Sequence, residues 1–131
     1  MDIFANFATN TKSEEEGVWV TLGGTSKILV ARAGNKKYGR MLNAQVEKNQ
    51  AALDLKTDEA DELSDSIMVD VFANSILLGW ENLSYQGEPL DYSVDNAKKL
   101  LAIKDFRVLV ANHSKNIENY RVAVEVAKAK K

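Results

Sequence analysis

The chain has no cysteine, and only one proline and one histidine among its 131 residues. Without cysteine there are no disulfides and no thiolate chemistry, which fits a reducing cytosol. A zinc site would depend on carboxylates, unlike ordinary structural zinc sites, so we expect no metal and no cofactor. The single histidine, His113, lies on the apolar stripe of a predicted helix, where a satisfied, partly buried side chain is a better interpretation than a catalytic base or a metal ligand.

Long apolar runs and a secretory signal are missing as well. No run approaches the ~20 residues that a membrane-spanning helix needs. The N-terminus has an acid, Asp2, and no basic segment before an apolar core, so it is not typical of a signal peptide. We therefore expect a cytosolic protein with no membrane partner.

Catalytic and phosphate-binding motifs are also absent. Neither GxSxG nor HExxH occurs, and one histidine allows no Ser/His/Asp arrangement except around His113. The stretch 23–27, GGTSK, lacks P-loop spacing and precedes an extended run, so it predicts a turn. The acids between Asp58 and Asp65 lack the glycine and the ligand alternation of an EF-hand, which favours a solvated helix start. We expect a protein that is not an enzyme.

The composition that is present is typical of one globular domain. A chain of this length supports one core, and 45% hydrophobic with 27% charged residues is ordinary for a folded protein. The opening segment is polar, contains Glu14-Glu15-Glu16 and lacks clear periodicity. We therefore expect a flexible N-terminal arm at residues 1–16 and a single domain at residues 17–131.

The pattern along this domain predicts a hairpin and then helices. Residues 18–22 and 27–32 are rich in β-formers and flank the turn. Helical spacing then predicts four helices. The first covers residues 36–53, and the second runs from a Thr57 N-cap to Leu78. The third follows a Ser93 N-cap, and the fourth runs from Phe106 through Val124 and Ala127 toward the tail. The fold class predicted is α+β, mainly α, with an N-terminal β-hairpin followed by a compact bundle of about four helices.

Charge is divided unevenly along the chain. Residues 1–97 carry 8 basic and 16 acidic side chains, whereas residues 98–131 carry 9 basic and 3 acidic ones. A basic segment can neutralise phosphates, but it can equally contact an acidic protein surface or simply form a solvated face. The last two interpretations are favoured over nucleic-acid binding. Our assembly hypothesis is that the acidic start of the Thr57 helix of one copy contacts the 98–131 region of the next.

Aromatic residues are the strongest candidates for a functional surface. The residues around the tryptophans and the loop tyrosines are acidic or neutral, which disfavours base stacking and favours packing or protein contact. The predicted protein-binding residues are Trp19, Trp80, Tyr85, Tyr92, Phe106 and Tyr120.

The hairpin, the loop at residues 79–93 and the helix after it carry a resemblance to a known family. The residues concerned are Gly17-Val18-Trp19, Ala31-Arg32, Asn35, Tyr38, Gly79-Trp80-Glu81-Asn82-Leu83, Gly87-Glu88-Pro89-Leu90-Asp91-Tyr92-Ser93, Asn96-Ala97 and Leu100-Leu101. With these residues the chain, from about Gly17 to Lys131, resembles the tail assembly chaperones of long-tailed bacteriophages, including the lambda G-type proteins.

The resemblance implies a non-enzymatic factor made in the host cytoplasm and absent from the mature virion. Such proteins bind the tape measure protein, keep it soluble, help recruit the major tail tube protein and self-associate into rings or spirals. They often have a longer, frameshifted form, for which the codons of Lys130-Lys131 are candidates. The alternatives are a head-tail joining or tail terminator protein retained in the virion, and a small nucleic-acid-binding regulator. The last is supported only by Lys98, Lys99, Lys104, Arg107 and Lys115, so nucleic acid is not the expected partner.

Overall fold

The computed structural model describes residues 1–122 of the chain. The α-helices of this part are α1 Ile3–Phe7, α2 Thr11–Glu16, α3 Lys36–Lys48, α4 Gln50–Asp54, α5 Asp58–Ser75, α6 Val94–Leu101 and α7 Lys104–Lys115. The strands are β1 Val18–Gly23, β2 Ser26–Val30, β3 Leu77–Glu81, β4 Ser84–Tyr85 and β5 Glu88–Pro89. A 3-10 helix, Ile117–Asn119, follows α7.

The predicted architecture, an N-terminal hairpin followed by about four helices, is wrong. The chain begins with two helices, and the described residues form seven α-helices and two sheets. Each early helix has a side-chain cap: Asp2 accepts a hydrogen bond from the Ala5 amide, and Asn10 accepts one from the Ser13 amide. Helices of five and six residues are too short to show an apolar stripe, so periodicity does not reveal them. The division into an arm at 1–16 and a domain at 17–131 stays a prediction.

The main sheet is antiparallel with the strand order β1-β2-β3. Its third strand comes from the apolar segment after α5, which the sequence pattern assigns to the end of the long helix. That helix instead ends at Ser75, and Ile28 of β2 pairs with Trp80 of β3. Gly79 is a poor helix residue, and the pairing with β2 supplies the backbone hydrogen bonds that a helix would have made.

The core lies between one face of this sheet and the helices α5, α6 and α7. The buried residues that form it are Ile28, Val30, Phe72, Ala73, Ile76, Leu77, Trp80, Ala97, Leu100, Leu101 and Val110. Full burial of one such large apolar side chain contributes about 1.5–3 kcal/mol relative to exposure. The helix α5 therefore acts as the central support, since it contacts α3, α4, α6 and β3.

Two predicted helix caps are confirmed, and so is the turn that the sequence Gln86-Gly87-Glu88-Pro89 predicts. The Thr57 hydroxyl accepts a hydrogen bond from the Ala60 amide, and the Ser93 hydroxyl accepts one from the Asn96 amide. Gln86 and Gly87 both have positive φ, at 52° and 84°, as a tight hairpin turn requires. This turn joins β4 to β5.

The last predicted helix is shorter than its periodicity suggests. The helix α7 ends at Lys115, and the Asn116 side chain then accepts a hydrogen bond from the Glu118 amide to start the 3-10 helix. An asparagine that bonds its own local backbone competes with the helical ladder. The predicted helical positions Val124 and Ala127, and Lys130-Lys131, lie outside the described residues.

Candidate functional site

The face of the three-stranded sheet that points away from the core is the best candidate for a contact surface. Because side chains alternate along a strand, the residues opposite the core-facing Val18, Val20 and Ile28 point outward. We define the Trp19 face as Trp19, Thr21, Lys27, Leu29, Gly79 and Glu81.

Trp19 dominates this face, with 43% of its surface exposed. It pairs across the strands with Leu29, which in turn pairs with Gly79. A Cβ atom at Gly79 would lie 3.6 Å from Leu29 Cβ and 3.8 Å from the far edge of the indole ring. The ring therefore lies across Leu29 as far as the third strand, where the absence of a side chain leaves room for it.

A charged pair borders the indole ring. Lys27 Nζ lies 3.2 Å from Glu81 Oε2 and 4.9 Å from the centroid of the Trp19 ring. An exposed cation-π contact contributes about 0.5–1 kcal/mol. The surface therefore presents an exposed aromatic ring with both a positive and a negative group at its edge.

Trp80 and Tyr92, also predicted to bind protein, attach the 79–93 loop to the sheet. The buried Trp80 donates its indole N–H to the Leu90 carbonyl at 2.7 Å, and its ring contacts the Tyr92 ring edge-on at 4.9 Å. The Tyr92 hydroxyl donates to the Leu77 carbonyl at 2.9 Å, and burial raises the pKa of this phenol. Both side chains thus have clear structural partners.

The remaining three predicted residues are also at least half-buried. Tyr120 is completely buried and donates its hydroxyl to the Val30 carbonyl at 2.9 Å. Phe106 packs against the core, and the half-buried Tyr85 has the Lys99 ammonium 5.5 Å from its ring centroid. Of the six predicted residues only Trp19 is exposed. The protein-binding role of the set stays a prediction.

Sequence reasoning missed a second exposed apolar surface. Ile3, Phe4 and Phe7 of α1 are exposed by 63%, 72% and 53%, and no residue of α1 is buried. Their spacing places them on one side of a single helical turn, which is the only sequence signal for them. The outer side of α7 adds Val108 and Leu109, both exposed.

Two basic residues in α6 and α7 form ion pairs within the chain. Lys98 Nζ lies 2.9 Å from Asp70 Oδ1, and this hydrogen bond raises the pKa of the ammonium group. Arg107 lies 3.4 Å from Asp65. Two of the five residues that support nucleic-acid binding therefore already have an acidic partner, which weakens that alternative.

Neither a metal-binding group nor a membrane-spanning helix is found among the described residues. Between Met1 and Val122, no group of three His, Cys, Asp or Glu side chains could hold a metal ion. Within the same range, every helix is too short or too polar to cross a membrane. His113 is half-buried on α7.

The fold and the surface define an α+β domain whose small sheet has one face in the core and an exposed aromatic on the other. Residues 33–131 match the family model described as YdaY prophage protein. The chain therefore belongs to this family and is phage-derived. No curated protein and no solved structure matches it.

Proposed function

We propose that this phage-derived protein is a tail assembly chaperone that binds the tape measure protein. In this role it keeps the tape measure protein soluble and helps recruit tail tube subunits. It acts in the host cytoplasm and is not retained in the mature virion.

The observation that carries the proposal is the position of the residues that resemble tail assembly chaperones. Gly17, Trp19 and Gly79 come from two distant segments, yet all three lie against Leu29 of the middle strand. A Cβ at Gly17 would lie 3.1 Å from the Leu29 side chain, closer than a well-packed side chain tolerates. Three of the resembling residues, Trp19, Gly79 and Glu81, thus belong to the Trp19 face, whereas others such as Trp80 and Leu101 lie in the core.

The physical properties of this face suit such a partner. A long helical protein that has not yet been assembled exposes apolar surface, and an apolar surface on a second protein can cover it. Partly exposed tryptophan residues are enriched among the residues that contribute most to protein interfaces. The exposed side chains of α1 offer additional apolar area.

Co-expression with the tape measure protein of the same prophage tests this proposal. The wild-type chain should increase the soluble fraction of the tape measure protein and remain with it in a pull-down. Trp19→Ala should weaken binding about tenfold or more, since an interface tryptophan typically contributes at least ~1.4 kcal/mol. Circular dichroism of the variant should match the wild type because Trp19 lies outside the core.

Leu55→Ala is the matched control, since Leu55 is 70% exposed and lies away from the sheet between α4 and α5. It should bind like the wild type. Equal binding by Trp19→Ala and the wild type would remove the Trp19 face from the interface. If the tape measure protein stays soluble without this chain and does not bind it, the proposed function is wrong.

The main alternative is a head-tail joining or tail terminator protein, and it makes a different prediction about particles. A chaperone leaves the tail before maturation, whereas a joining protein stays in it. Mass spectrometry of purified particles from an induced prophage should therefore find the tube protein and not this chain. Recovery of the chain in stoichiometric amounts would favour the structural alternative.

A further inference from the structure

The strand β1 forms an open edge of the main sheet. The strand order β1-β2-β3 places β2 on one side of it and no described strand on the other. In an antiparallel strand, every second residue turns its backbone N–H and C=O groups away from the neighbouring strand. No described residue outside the sheet forms a hydrogen bond with the backbone of residues 18–23. The outward groups of β1 therefore have no hydrogen-bond partner in the part of the chain that the structure describes.

The residues of β1 do not block this edge in the usual ways. Edge strands are commonly protected by charged side chains, proline, bulges or a covering loop. The sequence of β1, Val-Trp-Val-Thr-Leu-Gly, contains neither a charge nor a proline. The irregularity in its pairing with β2 lies between Thr21 and Gly23, beside the turn. Residues 18–21 thus form a regular, unprotected edge.

The opposite edge of the sheet, on β3, is protected. This strand carries a charged residue, Glu81. The Tyr92 hydroxyl donates to the Leu77 carbonyl at 2.9 Å, so a backbone group of β3 already has a partner from the 79–93 loop. Of the two edges, β1 is therefore the one that is free to pair.

The side chains along this edge determine which residues fit beside it. Trp19 is 43% exposed on the outer face, and Val20 is half-buried on the core side. Aromatic and β-branched residues pair favourably with residues of the same kind on the next strand. On the side that is already paired, Leu29 lies opposite Trp19 and Ile28 lies opposite Val20. A strand added on the free side is expected to have uncharged, branched or aromatic residues at the corresponding positions.

We propose that the free edge of β1 binds an extended segment of another protein, which joins the sheet as a fourth strand. The outward N–H and C=O groups repeat every two residues, and an extended backbone supplies acceptors and donors at the same repeat. A helix does not, because its backbone groups are already bonded within the helix. The inference does not depend on the proposed chaperone function, since it concerns the backbone of β1 and a partner segment of a different conformation.

A capped synthetic peptide with the sequence of residues 25–32 is the probe. This sequence contains β2, which already pairs antiparallel with β1. In nuclear magnetic resonance of the isotope-labelled full chain, the peptide should shift the amide signals of residues 18–22 and slow their hydrogen exchange. We expect a dissociation constant on the order of 1 mM or tighter, because a short peptide loses entropy when it becomes ordered. No change of these signals at about 5 mM peptide would overturn the proposal.

Two N-methylated forms of the peptide distinguish strand addition from nonspecific apolar contact. One form is methylated at the amides equivalent to Lys27 and Leu29, and the other at those equivalent to Ile28 and Val30. A strand directs only every second N–H toward a given neighbour. One form should therefore bind like the unmodified peptide, and the other should bind about tenfold or more weakly. Equal binding by the two forms would overturn the proposal.

Variants of the chain locate the added strand. Trp19→Ala should weaken binding of the unmodified peptide about threefold or more, because the added strand loses its aromatic neighbour. Leu55→Ala is the control, and it should bind like the wild type within about twofold, since Leu55 lies away from the sheet. Wild-type binding by Trp19→Ala would show that the peptide does not lie along residues 18–21, which would overturn the proposal.

The chain without peptide tests whether a second copy occupies the edge instead. The amide signals of residues 18–22 should not change with protein concentration. A concentration-dependent change of these signals, together with dimer formation in sedimentation, would show that β1 pairs with a second copy and would overturn the proposal. No tape measure protein is used in these experiments, so their failure and the failure of the chaperone proposal are distinguishable.

Discussion

Tyr120 links three distant parts of the chain at the scale of a single residue. Its hydroxyl donates to Val30 of β2, and its backbone carbonyl accepts from the Asn10 amide at 2.7 Å. Next to it, Arg32 and Glu14 form an ion pair of 2.9 Å. Desolvation by burial raises the pKa of Tyr120 well above its ordinary value of 10.0. These contacts within the described residues are structural. The sequence alone shows only an aromatic residue near the end of a helical pattern, which does not reveal them.

Stability at alkaline pH should depend on this phenol. In the unfolded chain Tyr120 ionises near pH 10, whereas the folded state keeps it neutral to a higher pH. Its contribution is thus fully present below pH 10 and is lost as the pH rises from there toward the folded-state pKa. Tyr120→Phe should lower the free energy of unfolding at pH 7 by about 1–2 kcal/mol, because the buried Val30 carbonyl loses its donor. It should also reduce the alkaline loss of stability.

Urea unfolding at pH 7, 9 and 10.5 measures both effects. Tyr38→Phe is the control, since the Tyr38 hydroxyl makes no hydrogen bond to another described residue. This variant should keep the alkaline loss of the wild type. An equally steep alkaline loss in Tyr120→Phe would show that other groups cause it.

At the scale of elements, the sequence predicts structure that depends on local hydrogen bonds but not structure that depends on pairing between distant segments. Helices α5 and α6 begin after Thr57 and Ser93. The hydroxyl of each residue accepts a hydrogen bond from the backbone amide three residues further along. These interactions are local, so the sequence predicts them. The strand β3 exists because Leu29 and Ile28 of β2 pair with Gly79 and Trp80, about fifty residues further along. The apolar run alone is equally typical of a buried helix.

The Ser93 cap gives a quantitative prediction for α6. Ser93→Ala removes the acceptor for the Asn96 amide, and it should lower the free energy of unfolding by about 1 kcal/mol. Ser93→Asp keeps an acceptor at the same position and should retain most of the stability. Thermal or urea unfolding measures both variants. An equal loss in the two variants would mean that the hydroxyl contributes through something other than capping.

At the scale of the whole molecule, the N-terminal segment contacts the end of the described chain. The Val122 amide donates to the Ala8 carbonyl at 3.3 Å, and Thr9 and Arg121 form an isolated antiparallel bridge. The Thr9 hydroxyl also donates to Glu14 at 2.7 Å. These bonds join residues 8–10 to the domain, whereas α1 before them has no buried residue.

Two truncations test this difference. Deleting residues 1–10 removes the bridge and the Asn10 cap of α2, so we expect a loss of roughly 1–3 kcal/mol in the free energy of unfolding. Deleting residues 1–7 removes only the exposed α1 and should change the free energy by about 0.5 kcal/mol or less. Urea unfolding distinguishes the two. An equal effect of both deletions would show that α1 contributes to stability, and no effect of either would support a flexible arm at 1–16.

The candidate surface was only partly predictable from the sequence. Trp19 was a candidate as an aromatic residue in a hairpin, and it is exposed by 43%. Trp80 was an equal candidate, but it is buried because it occupies the core side of β3. The two tryptophans are distinguished by the face of the sheet that each occupies. That face follows from the register of β3 against β2, which the sequence pattern does not show.

The sequence by itself determined the helix caps, the tight turn before Pro89 and the absence of thiol chemistry. Each of these depends on residue type or on hydrogen bonds between neighbours a few residues apart. Only the tertiary structure decided that a third strand completes the sheet, which aromatic residues are buried and which charges are paired. These features depend on segments far apart in the chain, because burial and ion pairing require contact in space.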